Sequence, residues 1–304
     1  MTVARSRAAA GVAYAAAAYG TWGLFPLYFR ALYGVPAPEV LSHRILWSVV
    51  FVAAFVTVRG RWGQVVSELR APGTLPRLGA SAFFIAANWL VYIWAVNSGR
   101  VLEASLGYFV NPLVTVALGV LFLHESLTPR QRIAVVLAAV GVGAMVVRAH
   151  AIPWVSLTLA VTFGAYGLIR KRVRVESTAG LLGEVLLLSP LALAYVTWLE
   201  HAGLGHFQAN TRFGALLALS GVVTAIPLIW FVLGVQRLRL TTVGLLQYLN
   251  PTIQFLIAVF VFGERFTAGH AVSFGCIWVS LALYSFDTLR LAAAREPSAA
   301  ADLR

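Results

Sequence analysis

The chain is 304 residues long; 60% of its residues are hydrophobic and only 11% are charged. Soluble proteins carry about 25% charged residues, so this composition excludes a water-soluble globular protein. The net charge of +12 at pH 7 would fit a nucleic-acid partner, but the positions of the basic residues, given below, argue against one. Because Cys276 is the only cysteine in the sequence, a disulfide within the chain is excluded.

Apolar stretches follow one another along the chain, each close to the roughly 20 residues that a helix needs to cross a bilayer. We predict an all-α integral membrane protein, since no segment is polar and long enough to form a soluble domain. The ten predicted transmembrane helices lie at about residues 8–29, 38–58, 76–97, 101–122, 129–147, 151–169, 180–199, 213–234, 241–263 and 268–288.

Basic residues are distributed unequally between alternate connecting segments. If the N-terminus is cytoplasmic, 17 of the 23 Lys and Arg residues fall in cytoplasmic segments, five fall in outer segments, and Arg44 lies within a span. This is the positive-inside pattern. It predicts a multi-pass membrane protein with both termini in the cytoplasm. The charge is then explained by topology and contact with membrane lipid, and we expect no nucleic-acid partner.

Charged residues inside predicted spans are candidates for function, because a charge within the bilayer is costly. Arg44 lies about six residues inside the second span, and Glu184 lies about four residues inside the seventh. We consider them as an outer and an inner gate, with snorkelling of each side chain to the membrane surface as the alternative. The partners expected are Glu39, Glu103 or Glu264 for Arg44, and Arg130, Arg237 or the basic segment 170–174 for Glu184.

Two further assignments concern protons. His43 adjoins Arg44 and could titrate near neutral pH, although a structural histidine is the simpler interpretation. Glu103, at the outer start of the fourth span, and Glu184 are candidate carriers of a coupled proton. The sequence contains no His-Glu zinc motif and no phosphate-binding loop, so we expect no metal, no cofactor and no ATP-driven transport by this chain alone.

Polar and aromatic residues form stripes on three of the predicted spans. Asn88 and Tyr92 share a helix face, because they are four residues apart. The same applies to the pairs Tyr108 with Asn111 and Gln247 with Asn250, which are three apart. We predict that these stripes line a substrate cavity whose residues are Trp22, Asn88, Trp89, Tyr92, Tyr108, Asn111, Pro112, Gln247, Asn250 and Pro251. Helix packing and anchoring of the aromatic rings at the bilayer surface are the alternatives.

Two stretches of the sequence are nearly the same. Residues 111–126 read NPLVTVALGVLFLHES and residues 250–265 read NPTIQFLIAVFVFGER, an offset of 139. Arg44 and Glu184 correspond at an offset of 140. We therefore predict two five-helix repeats at residues 1–149 and 150–289, followed by a short cytoplasmic tail at 290–304. Because five is odd, the second repeat is inverted in the membrane, which is typical of secondary transporters.

The chain also resembles a known family. The stretches WGLFPLYFRAL (22–32), HRILWS (43–48), NWLVYIWAVNSGRVLEASLGYFVNPL (88–113) and LRLTTVGLLQYLNPTIQFLIAVFVFGE (238–264) are similar to RarD-type members of the EamA family, in the drug/metabolite transporter superfamily. At the end of the fourth helix the family's Gly-Glu is replaced by His124-Glu125, whereas the second repeat keeps Gly263-Glu264. The resemblance implies ten helices, a location in a bacterial-type plasma (inner) membrane and movement of solutes, often outward.

These observations favour a secondary active transporter, a permease that exports small organic metabolites or drugs by alternating access, and not an enzyme. Amides and aromatic rings without a cluster of charges suit a small organic solute with a ring or an apolar body. A coupled proton and a homodimer are further candidate partners. An intramembrane enzyme and a channel are the alternatives. The first would need a catalytic group at membrane depth, and the second would favour rings of charge or carbonyls.

Overall fold

The structure, a computed structural model, describes residues 2–123, 153–173, 175–235, 237 and 246–268. It also describes residues 129–130, 132–133, 136–137, 139–140, 143, 270–272, 274–276, 278–279, 282–283 and 286. Within these residues the chain forms helices joined by short turns, and no strand occurs among them. The prediction of an all-α protein is therefore confirmed for the described part of the chain.

The helices, in chain order, are α1 (Thr2–Gly23), α2 (Phe25–Ala31), α3 (Ala37–Val58), α4 (Trp62–Arg70), α5 (Thr74–Asn97), α6 (Val101–Leu123), α7 (Trp154–Arg172), α8 (Ser177–His201), α9 (Thr211–Val235) and α10 (Leu249–Leu256). A π-helical segment, Ile257–Val261, continues α10. Six of these helices, namely α3 and α5 to α9, match predicted spans to within about three residues at each end. The predicted spans at 129–147 and 268–288 are described only in part, and the start of the one at 241–263 lies outside the described residues.

Among the described residues, four helices are long and apolar enough to cross a membrane: α3, α5, α8 and the segment Thr211–Phe231 of α9. In their most apolar windows only 39% to 50% of the residues are buried inside the protein. The remaining apolar side chains face outward, as lipid-facing side chains of a membrane protein do. These helices support an integral membrane protein.

The first predicted span is broken into two helices. α1 ends at Gly23 and α2 starts at Phe25, with Pro26 in its first turn. Proline has no N–H, so Pro26 cannot donate to the carbonyl four residues earlier, that of Trp22. The amide Nε2 of Gln254 in α10 lies 3.4 Å from this carbonyl oxygen and donates to it. The break thus leaves a polar backbone group that another helix satisfies.

Helix α4 was not predicted, because it is too short and too polar to be found by a search for membrane spans. It lies between α3 and α5 and packs against α5 and α8. Val65 is buried on its inner side. On the outer side, Arg61 donates two hydrogen bonds to Gln64. α4 is an amphipathic helix that covers one end of the bundle.

The helices pack in a pattern that places one cavity between them. α3 contacts α5, α8 and α9, while α7 contacts α5 and α6, and α10 contacts α1 and α6. Two clusters of buried apolar residues fill most of the interior. One contains Phe29, Ile93 and Leu106, and the other contains Val52 and Leu182. The cavity is lined by residues between and beside these two clusters.

Candidate functional site

A cavity of about 200 Å³ lies among α1, α2, α3, α5, α6, α7, α8, α9 and α10. Nine of the ten residues predicted to line a substrate cavity lie along it: Trp22, Asn88, Trp89, Tyr92, Tyr108, Asn111, Gln247, Asn250 and Pro251. Pro112 follows Asn111 in α6, but its side chain is outside the described residues. The structure brings these stripes together, and their role in binding a substrate stays a prediction.

The wall also contains residues that the sequence did not indicate. They are Tyr19, Phe25, Ile85, Phe163, Tyr166, Leu181, Thr224, Leu228, Phe231 and Gln254. Gln254 could have been found, because it lies one helical turn after Asn250. It was missed because the equivalent position in the first repeat, 139 residues earlier, is Thr115 and not an amide.

Asn88 ties three helices together at the cavity wall. Its Nδ2 donates to the carbonyl oxygen of Leu159 (2.9 Å) and to Oγ1 of Thr162 (3.0 Å), both in α7. Its Oδ1 accepts from the hydroxyl of Tyr108 in α6 (3.2 Å). With an exposure of 1%, Asn88 mainly holds α5, α6 and α7 in place.

Arg44 lies in the cavity wall. Its Nε donates to Oγ1 of Thr224 (2.8 Å), and its guanidinium carbon is 4.1 Å from the ring centroid of Trp89. The side chain is only 4% exposed. The three expected carboxylate partners are all engaged elsewhere: Glu39 with His206, Glu103 with Arg100, and Glu264 with the backbone at the start of α6. No carboxylate among the described residues forms an ion pair with Arg44.

Glu184 in α8 forms a second buried polar cluster. Its Oε1 accepts from Oγ of Ser81 (2.6 Å) and lies 3.7 Å from Nε of Arg170; its Oε2 accepts from the hydroxyl of Tyr166 at 3.5 Å. Arg170 belongs to the basic segment named as a partner from the sequence. Glu184 does not line the cavity, but Tyr166 lines it and links the two. We call Glu184, Ser81, Tyr166 and Arg170 the Glu184 cluster.

Hydrogen bonds join the N-terminal end of α3 to the segment between α8 and α9. Glu39 accepts from the backbone N–H of His206 (2.6 Å), and its other oxygen lies 2.8 Å from Nδ1 of the same residue. The ring of His43 stacks on Phe207 with 4.8 Å between centroids. Nothing in the sequence pointed to His206, because it pairs with a residue 167 positions away.

Glu264, in the segment after α10, accepts hydrogen bonds from the start of α6. Its two carboxylate oxygens accept from the backbone N–H groups of Val101 (2.7 Å) and Leu102 (2.9 Å). A carboxylate at a helix N-terminus satisfies free N–H groups and interacts favourably with the helix dipole. Burial raises the pKa of the Glu264 carboxyl, and the two N–H donors oppose that rise. The second copy of the repeated motif therefore ends in a contact with the first half of the chain.

Comparison with known proteins identifies the family. The EamA-like transporter family matches residues 9–147. A protein of Vibrio cholerae named "Uncharacterized transporter" is 42% identical over 291 residues, which cover 95% of this chain and 96% of that protein. "Protein RarD" of Escherichia coli K12 is 41% identical over 280 residues, which cover 92% and 95%. The chain belongs to the EamA family as a RarD-type member.

Other relatives agree with this assignment. "Uncharacterized transporter YojE" of Bacillus subtilis is 43% identical over 283 residues, covering 92% of this chain and 95% of the relative. A solved crystal structure matches with a TM-score of 0.61 and 19% identity over 93% of this chain and 99% of that one; it supports the fold alone. The family and the names of these relatives indicate a multi-pass membrane protein that is a transporter rather than an enzyme.

Proposed function

We propose that the chain is a secondary transporter that moves small organic solutes through the described cavity by alternating access. The observation behind this proposal is that both halves of the chain build the cavity wall. Trp22, Asn88 and Asn111 come from the first half, whereas Phe231 and Asn250 come from the second. A site between two halves of a transporter is open to either side of the membrane when the halves rock against each other.

We further propose the ten-helix architecture with two inverted repeats at 1–149 and 150–289. The packing of the described helices supports it. If α1, α3, α5 and α6 correspond to α7, α8, α9 and α10, then the contacts between the two sets of helices should come in matched pairs. The contact of α1 with α9 pairs with that of α7 with α5, and the contact of α6 with α7 pairs with that of α10 with α1. The contacts of α3 with α8 and of α6 with α10 each join two corresponding helices, so exchange of the repeats leaves them unchanged.

The remaining parts of the proposal concern orientation and coupling. We place the protein in the bacterial inner membrane with both termini in the cytoplasm, and we propose outward movement of solute. The distribution of basic residues supports the orientation. The Glu184 cluster at the end of α7 and the Glu39–His206 contact at the start of α3 lie towards opposite ends of the bundle. We propose these two sets of contacts as gates that open alternately at the two ends of the cavity. Glu184 is the candidate carrier of a coupled proton.

The proposal predicts that the cavity amides determine flux. In proteoliposomes, Asn111→Ala and Asn250→Ala should each lower counterflow of a transported solute, because each removes a polar group that both lines the cavity and lies in the repeated Asn-Pro motif. The matched control is Gln208→Ala, which removes an exposed amide outside the cavity. Unchanged flux in both cavity variants, at normal folded yield, would show that the solute takes another path.

The same preparation separates the two alternative functions. A carrier shows saturation and counterflow, whereas a channel passes solute in proportion to its concentration without counterflow. Mass spectrometry of the solute after passage distinguishes transport from chemistry, since a transported solute leaves unchanged. A chemically altered product would favour an intramembrane enzyme and contradict the proposal.

A further inference from the structure

Arg44 gives the cavity an unbalanced positive charge. Among the described residues that line the cavity it is the only charged one, and none of them is Asp or Glu. Its side chain is 4% exposed. A buried charge is costly unless it is paired, and no carboxylate among the described lining residues balances this one.

Most of the hydrogen-bonding capacity of Arg44 is unused. A guanidinium has five N–H donors, and within the described residues only the one on Nε has an acceptor, the hydroxyl oxygen of Thr224. Thr224 in turn donates to the carbonyl oxygen of Ser220 (2.8 Å), so it is fixed as an acceptor for Arg44. The aromatic rings of Trp89, Phe25 and Phe29 surround the cation and hold it by cation–π attraction. The two terminal nitrogens remain available to a ligand.

A second unpaired donor lies close by. The hydroxyl of Tyr92 is buried and has no hydrogen-bond partner among the described residues. Tyr92 lines the same cavity and its ring packs 5.8 Å from that of Phe29. The Arg44 guanidinium carbon lies 5.6 Å from the centroid of that same Phe29 ring. Arg44 and Tyr92 thus line one cavity and pack against one ring, so a single acceptor group with several lone pairs would satisfy both donors.

We infer that the transported solute is a small organic monoanion whose carboxylate binds the terminal nitrogens of Arg44 and the hydroxyl of Tyr92. This inference rests on the proposed transport function. A carboxylate matches the planar fork of a guanidinium and accepts two parallel hydrogen bonds from it. The aromatic side chains Trp22, Phe163 and Phe231 line the wall and suit an apolar or aromatic body.

The same features set limits on the solute. With no carboxylate among the described lining residues, the ammonium group of a zwitterion has no ionic partner, so amino acids and cations should bind less well. A dianion would keep one charge unpaired beside a single Arg. The cavity volume of about 200 Å³ restricts the solute to a small molecule.

Four probes of similar shape and different charge test the inference: phenylacetate (anion), phenylacetamide (neutral), 2-phenylethylamine (cation) and phenylalanine (zwitterion). Binding to the purified whole chain is measured from the concentration dependence of the thermal-shift response. We expect an apparent Kd for phenylacetate roughly tenfold or more below those of the other three. Arg44→Gln should abolish this preference, Arg44→Lys should retain part of it, and Tyr92→Phe should weaken phenylacetate binding several-fold.

Arg30→Gln is the matched control, because it removes an exposed Arg that packs on Tyr33 outside the cavity. It should leave the preference intact. If Arg44→Gln does not yield a folded protein, Arg44→Lys and Tyr92→Phe provide the test. A phenylacetate response no stronger than that of phenylacetamide, or one unchanged by the Arg44 and Tyr92 substitutions, overturns the inference. Arg44-dependent binding without counterflow in proteoliposomes would instead contradict the proposed transport function and leave the anion site standing.

Discussion

At the scale of single residues, two backbone carbonyl groups, each four residues before a proline, show how the chain avoids unpaired polar atoms in the membrane. Pro26 leaves the carbonyl of Trp22 free, and Gln254 donates to it from α10. Pro190 likewise leaves the carbonyl of Leu186 free, and the hydroxyl of the neighbouring Ser189 donates to it at 2.9 Å. In lipid such groups need a partner within the protein, and at these two prolines a nearby polar side chain supplies it.

This pairing makes a prediction about stability. Gln254→Leu should lower the unfolding free energy by about 1–3 kcal/mol, because it leaves the Trp22 carbonyl and the Asn250 side chain, which now accepts from Gln254 at 2.7 Å, without a donor. Pro26→Ala restores an N–H that can donate to the Trp22 carbonyl. The loss caused by Gln254→Leu should therefore be smaller in a Pro26→Ala background. Denaturant unfolding in detergent of the four members of this double-mutant cycle measures the coupling; strictly additive losses would contradict it.

The cavity residues could largely be predicted from the sequence, and the exceptions have physical reasons. Asn88, Tyr92 and Asn111 were found because polar side chains at helical spacing on an apolar helix mark one face. Arg44 was found as a charge within a span, but its depth alone could not tell whether it points towards the membrane surface or towards a cavity. His206 was not found, because a contact between distant segments leaves no local pattern.

At the scale of the helices, glycines set how closely neighbours approach. A Cβ atom added to Gly107 in α6 would lie 2.8 Å from the backbone oxygen of Ser156 in α7. A Cβ atom added to Gly234 in α9 would lie 2.9 Å from the Cβ atom of Ala15 in α1. Small residues at helix contacts allow the close packing on which membrane helices depend, because burial of apolar surface drives little association in lipid. The sequence shows these glycines but not which helix each one faces.

Gly107→Ala should destabilise the protein, since its new methyl group meets backbone that cannot move away independently. The control is Gly167→Ala in α7, where nothing lies within 4 Å of the added atom. There we expect no loss, or a gain of up to about 1 kcal/mol from the better helix propensity of Ala. Melting temperatures in detergent compare the two variants. Equal melting temperatures would mean that α6 and α7 are not as close as described.

Most helix boundaries could be predicted from hydropathy and from Gly, Pro and Arg at the ends. The break between α1 and α2 could not be seen from hydropathy, because Leu24 and its neighbours are as apolar as the rest of the span; Pro26 was the only signal. Helix α4 was not predicted because its residues form an amphipathic surface helix, for which a search for membrane spans has no sensitivity.

At the scale of the whole molecule, contacts at both ends of the bundle join distant parts of the chain. Glu39 pairs with His206, and Glu264 accepts from the N–H groups at the start of α6. The Glu184 cluster joins α5, α7 and α8. In the proposed transport cycle, opening one end requires that its contacts break while those at the other end hold.

Glu39→Gln should therefore make the cavity more accessible from the side of His206. Leu228 lines the cavity, and Leu228→Cys in a Cys276→Ser background gives a single reporter thiol. Its rate of reaction with a membrane-impermeant maleimide added from that side should rise several-fold with Glu39→Gln. Glu103→Gln is the control, because among the described residues the only ion pair of the Glu103 carboxylate is a local one, with Arg100 three residues away. An equal rise in both variants would show general loosening and contradict a specific closure by Glu39.

The contacts between the halves also have a consequence for biosynthesis. The residues that Glu264 and Gln254 bind, at the start of α6 and in α1, are made 163 and 232 positions earlier. During translation the early helices enter the bilayer long before these partners emerge from the ribosome. The N–H groups at the start of α6 and the carbonyl group in α1 therefore lack a hydrogen-bond partner until the last third of the chain is made. A ribosome stalled near residue 240 would leave a membrane-inserted intermediate that quality-control proteases can recognise.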